Sequence, residues 1–333
     1  MKASLLIACL LLSACASNSA PIETREPAAR TLDGAPLYAP RFSAAELDRL
    51  QRQTARALGR LRAEPESEEA WIWYGRRLAY ESRFEEALQT YSEGLNRFPD
   101  SSRLLRHRSH RLISTRRFRA ALLDLARAAE LIQLTPDSIE EDGAPNQYGV
   151  PRSTQHSNVY YHLALTHYLI GEYAEAERTY LAAQSVSAVN DDLLVAFNWW
   201  HWITTRRMLT RMAARVPDLD TSFWKSRLDD LLAPITDSLN VYENHAYHRL
   251  LLMARGELSP EELLPDDFSD TQAATLAYGV AAYYLAEGRS QEGYALCRKI
   301  VARTPWAAFG HIAAEAELAH KAAREDFESQ HRH

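Results

Sequence analysis

The stretch Arg83–Tyr91 reads RFEEALQTY, and Arg117–Leu125, 34 positions further on, reads RFRAALLDL. Laying residues 68–101 over 102–135 aligns Phe84 with Phe118, Ala87 with Ala121, Tyr91 with Leu125 and Gly94 with Ala128. Residues 157–190 fit the same frame through Tyr173, Ala176, Tyr180 and Ala183. Near the C-terminus Gly293, Cys297, Ile300 and Pro305 take the equivalent places in a unit at 274–307. Small residues recur at two places in the frame, Gly75, Ser109 and Ala164 at one and Ala87, Ala121 and Ala176 at the other, and small side chains let helix axes approach closely. Phe84, Phe118 and Tyr173 fill the space beside them, and Pro65, Pro99 and Pro305 each close a unit, because proline cannot continue a helix.

A 34-residue period with this content resembles the tetratricopeptide repeat (TPR). The first unit carries the likeness most fully, with Trp71, Tyr74, Gly75, Leu78, Ala87, Tyr91 and Pro99 at the positions of the family pattern. The resemblance implies an all-α TPR solenoid with two antiparallel helices per unit, Gly75, Ser109 and Ala164 on the first facing Ala87, Ala121 and Ala176 on the second; no unit can bury its apolar face alone, and neighbours stack into a continuous core. Residues 191–268 fit the frame poorly and are expected as degenerate helical pairs near 191–215, 221–233 and 240–256. WAAFGHIAAEAELAHKAARED, from Trp306, has the composition of a capping helix.

The N-terminus, MKASLLIACLLLSACASNS, joins Lys2 to an apolar run from Leu5 to Leu12 that is too short to span a bilayer. Leu12-Ser13-Ala14-Cys15 resembles the lipobox of bacterial lipoproteins. That likeness implies a signal peptide over 1–14, lipid on Cys15, and, with alanine at position 16, residence at the outer membrane facing the periplasm. Residues 15–42, with Pro21, Pro27, Pro36 and Pro40, read as a flexible tether. The helical array is expected over 43–330, opened by the capping-box pattern Ser43-Ala44-Ala45-Glu46. Of three cysteines only Cys297 then remains, so no internal disulfide can form. The net charge of −6 gives no basic balance to suggest nucleic acid.

Four features are candidates for function. The insertion 136–156 is long for an inter-repeat turn and is punctuated by Gly143, Pro145, Gly149 and Pro151. Its Asn146, Arg152, Ser153, Thr154 and His156 either present hydrogen-bonding groups to a ligand or cap helix ends. In the repeat family the first helix of each unit lines a concave groove. Carrying that frame over places Glu69, Ile72 and Arg76, then Arg103, Arg106 and His110, then Asn158, Tyr161 and Leu165 on it. Arginines there would grip partner carboxylates, although the lysine–asparagine carboxylate clamp is not reproduced. His245 and His248 share a helical face. With His162 and His201, and Glu243 and His156 as further conceivable donors, they form the alternative reading, a divalent-metal or small-ligand site, or a hydrolase. In NWWHW, Trp199 and Trp202 are expected in the core, and Trp200, turned away, in core or groove.

No phosphate-cradling loop, HExxH or CxxC occurs, and no catalytic constellation can be read. The insertion, ENHAYHRLLLM and the WAAFGHIAAEAEL ending together resemble a group of bacterial TPR proteins over most of the chain after about residue 66. The expected function is a lipid-anchored periplasmic adaptor that holds an envelope protein or peptide through the groove and the loop. No cofactor other than the lipid is expected.

Overall fold

The computed structural model describes residues 26–143, 145–216 and 218–331. The signal segment and Cys15 lie outside the described residues. The fold is all-α. A hairpin of β1 (Ala29–Arg30) and β2 (Pro36–Leu37) precedes α1 (Ala44–Ala63), which Ser43 caps by accepting the Glu46 N–H. Three helix pairs follow: α2 (Glu68–Tyr80) with α3 (Phe84–Arg97), α4 (Ser102–Ser114) with α5 (Phe118–Ile132), and α6 (Gln155–Leu169) with α7 (Tyr173–Ala182). Beyond the short α8 (Gln184–Ser187) come α9 (Asp191–Ala213), α10 (Ser222–Leu232), α11 (His245–Ala254) and α12 (Pro260–Leu263). The last pair is α13 (Thr271–Ala286) with α14 (Ser290–Arg303), and α15 (Phe309–Gln330) ends the array.

Small residues make the joints of the pairs. A methyl group on Gly75 would lie 2.3 Å from the Tyr91 ring, so only glycine lets α2 close on α3 there. Ser109, Ala87, Ala121, Ala164 and Ala176 are all fully buried at the corresponding contacts. The turn inside each pair repeats a left-handed residue two places before the second helix: Ser82 (φ 61°), Arg116 (φ 63°), Gly171 (φ 78°) and Gly288 (φ 79°). The first two are not glycine, a conformation that costs a side-chain-bearing residue about 1–2 kcal/mol. Arg116 brings compensation: its guanidinium lies 2.7 Å from Glu315 of α15 and donates to the Trp306 carbonyl at 2.9 Å.

That contact belongs to a closure of the whole array. The segment from Trp306 into α15 does more than cap α13 and α14: it also packs against α3, α4 and α6. Trp306 meets Phe84 edge-on at 5.4 Å, and Phe309 packs on His110 and His162. Arg207 of α9 and Glu317 of α15 form a second buried ion pair at 2.7 Å. The Tyr278 hydroxyl donates to that of Tyr168 at 2.7 Å, joining α13 to α6. Trp200 lies between these two tyrosines, 5.9 and 5.3 Å from their rings, so it is a core residue like Trp199 and Trp202 and faces no groove.

Two expectations are corrected. Within the expected tether, residues 29–37 form a short hairpin. The hairpin turns at Leu32-Asp33, followed by Gly34 at φ 91°, and docks on the closure: the Leu32 N–H donates to Glu315 and the Trp306 indole N–H to the Tyr38 carbonyl. The helix expected from 240 starts instead at His245. The buried carboxylate of Asp192 takes the backbone N–H groups of Tyr242, Glu243 and Asn244 at 2.9–3.1 Å, holding that segment out of the helix. Among the described residues no helix is long and apolar enough to cross a membrane.

Candidate functional site

The 136–156 insertion folds against α2, α4 and α6 and is held there along one side. Its two limbs pair through an isolated bridge, Ile139 with Thr154, in which the Glu140 N–H donates to the Ser153 carbonyl and the Gln155 N–H to the Ser138 carbonyl. In this extended stretch alternate side chains point oppositely. Ile139 is out, 67% exposed, and Glu140 is in, 4% exposed. Arg106 reaches the Glu140 carboxylate at 3.0 Å, the Asn158 amide donates to it at 3.0 Å, and Arg76 stands 4.0 Å away. The arginine-bearing groove therefore does grip a carboxylate, and that carboxylate is the chain's own.

Gly143 lies hard against α2, where a Cβ would come within 1.8 Å of the Tyr80 hydroxyl. Arg76 donates to the Glu141 carbonyl at 2.8 Å and stacks over Trp73. Arg103 is removed from any groove role, because Glu68 and Glu69 of the neighbouring α2 hold its guanidinium.

The candidate loop residues are largely structural. Thr154 caps α6 in a reciprocal capping box with Ser157. Arg152 donates to Asp192 at 2.8 Å and lies over the Tyr242 ring. Asn146 accepts the Tyr148 and Val150 N–H groups, donates to the Val150 carbonyl, and reaches Glu243 at 3.1 Å. The His156 backbone N–H donates to Asp137, and Ser153 accepts from Asn158.

Behind the loop a cavity of about 280 Å³ opens between α4, α6, α9, the start of α11 and Phe309. It gathers Arg106, His110, Asn158 and Tyr161 from the groove expectation, Ser153 from the loop and His162 from the histidine set. Tyr161 and Tyr247 share a hydroxyl–hydroxyl hydrogen bond of 2.8 Å across it. Burial, reinforced by Arg106 and Arg111, pushes the His162 imidazole down to about 3. Burial and the same arginines hold His110 well below the usual histidine range.

The four histidines read as an alternative metal set do not converge. His162 is in the cavity and bonded to the Asn158 carbonyl. His201 lies 3.0 Å from Glu177 and stacks on Tyr180; His248 reaches the Thr236 carbonyl; His245 is exposed at the start of α11. Among the described residues no group of three or more metal-ligating side chains comes together. Cys297 is fully buried, and burial pushes its thiol far up, away from the reactive thiolate.

Glu140, Asp192 and Phe309 were not singled out by sequence, and Glu243 only as a conceivable metal donor. Asp191 and Asp192 look like ordinary acids in the first turn of a helix, yet Asp191 also takes the Asn240 N–H. Phe309 sits in what looks like a plain capping helix.

No family model and no curated protein matches this chain. Among solved structures it is similar to one titled "Structure of Naa15/Naa10 bound to HypK-THB", at 15% identity and a TM-score of 0.35. The match covers 86% of this chain and 41% of that one, so the chain spans less than half the length of that neighbour.

Proposed function

We propose that the protein is a helical-repeat scaffold that binds a protein partner through the outward side of the 136–156 loop. In this reading the lipid on Cys15 carries it at the bacterial outer membrane, and the partner is an envelope protein. The observation that carries the proposal is the two-sidedness of the loop. Its inward side is fastened by Glu140, Gly143 and Arg152, while Ile139, Tyr148 and Val150 stand 67%, 59% and 41% exposed. Large apolar side chains held in water on a fastened loop are what an interface needs, since little ordering entropy is lost on docking.

The test is cross-linking capture in living cells, comparing the native chain with one carrying Ile139→Ser, Tyr148→Ser and Val150→Ser. Of the three only Tyr148 has a ring partner, Tyr242 at 4.8 Å, so the thermal midpoint should fall only slightly while a discrete envelope protein disappears from the capture. Identical captures from both chains would contradict the loop as the contact. A Cys15→Ser change tests the anchor separately: the protein should leave the membrane fraction.

A further inference from the structure

The cavity behind the loop holds polar atoms that the protein leaves unsatisfied, and their roles can be assigned. His162 Nδ1 lies 2.6 Å from the Asn158 carbonyl, which can only accept, so Nδ1 carries the hydrogen. The ring is neutral, and Nε2 is therefore a bare acceptor; it is buried with no partner. Arg106 gives Nη1 to Glu140, but its Nε–H, a donor, is also buried without a partner. Orphaned groups of this kind are destabilising unless something binds them. Third, the Glu243 carboxylate has no cation within ion-pair distance among the described residues, only the Asn146 amide, and burial raises its pKa. Apolar walls complete the cavity: Phe197, Phe309, Leu193, Ala196 and the rings of Tyr161 and Tyr247.

These features disfavour an occupant of a single charge. An anion alone would satisfy the arginine but leave the His162 lone pair empty and face Glu243. A cation alone would suit Glu243 and His162 and leave the arginine donor bare. The lining asks for both signs in one compact molecule with an apolar body, in a volume at the small end of ligand pockets.

We infer that the cavity binds a free α-amino acid with an apolar side chain. Its carboxylate takes the Arg106 Nε–H, its ammonium donates to His162 Nε2 and Glu243, and its side chain lies against Phe197 and Phe309. This site is separate from the outward face of the loop, so either reading can fail without the other.

The experiment is calorimetric titration of the full chain at neutral pH with L-leucine and L-phenylalanine. Each is compared with the analogue lacking the ammonium (isocaproate, hydrocinnamate) and the one lacking the carboxylate (isoamylammonium, phenethylammonium). The expected result is one-to-one binding of at least one amino acid, about tenfold or more tighter than either of its single-charge analogues. Glu243→Gln, which keeps shape and the Asn146 contact, should cost a similar factor for the amino acid and leave the ammonium-free analogue unaffected. No binding by any of the six, which would leave the cavity to water, overturns the inference. So does a single-charge analogue binding as tightly as the amino acid, or an unchanged Glu243→Gln. If that substitution unfolds the chain, the analogue comparison on the native protein still decides.

Discussion

Between α2 and α5 each helix meets chiefly its neighbours in sequence, and the joints are repeated: Gly75 beneath Tyr91, then Ser109 and Ala121 in the matching places. From α6 onward, residues 110 positions apart meet in one core, Tyr168 with Tyr278 and Arg207 with Glu317. Arg116 and Glu315, 199 apart, tie this second region back to the first. Stacking of pairs is a local, periodic problem, solved by side-chain size. Closing the array on itself is a long-range problem, solved by buried charge pairs and by the 136–156 loop.

The largest expected effect breaks the closure. Glu317→Leu leaves Arg207 buried beside a lost partner, and such a change costs about 3–5 kcal/mol. Glu85→Ala removes an ion pair to Arg117 on the surface and should cost less than about 1 kcal/mol. Urea unfolding of both variants measures the contrast; equal losses would mean the closure contributes no more than a surface contact.

Next comes the local joint. Gly75→Ala drives a methyl into the buried Tyr91 ring and should destabilise by about 1–3 kcal/mol. Gly59, in α1, has open space around its Cβ position, so Gly59→Ala should stabilise by roughly 0.5–1 kcal/mol. Thermal midpoints moving in opposite directions would sharpen the point that position in the frame, and not residue type, decides.

Acid should weaken the closure. His162 is held at about 3 and His311 at about 4, both chiefly by burial, and His107 and His110 lie well below their usual value for the same reason. Unfolded histidines take a proton near pH 6.5 while these do not, so the unfolded chain binds more protons below that point. Their contribution is complete above pH 6.5 and is lost as the pH falls toward 4 and 3, by up to about 1.4 kcal/mol per pH unit for each ring. A midpoint that stays flat from pH 7 to 5 would show that the rings take up protons without opening the fold.

The physical reason the all-α fold was legible is that it is written in side-chain size at fixed spacing. Phe84, Ala87, Phe118 and Ala121 announce the pairs without reference to anything distant. Candidate groove residues were legible in part: Arg106, His110, Asn158 and Tyr161 do meet at one cavity. What occupies the groove was not legible. Nothing near Glu140 marks it as Arg106's partner rather than one acid among Glu141 and Asp142. Nothing in α15 distinguishes Glu315 and Glu317 from the solvated acids of a capping helix. Arg103 went astray for the same reason, its partners Glu68 and Glu69 lying one full repeat earlier. Periodicity reports neighbours, and a charge carries no record of its distant counterpart.

The central claim is that the 136–156 loop is fixed against α2, α4 and α6, fastened through Glu140. Residue-resolved amide hydrogen exchange tests it most directly at Glu140 and Gln155, whose N–H groups are bonded across the loop to Ser153 and Ser138. The account predicts protection at these two amides approaching that of the adjoining α6, and its loss in Glu140→Gln. Free exchange at both sites in the native protein, while α6 remains protected, would contradict it.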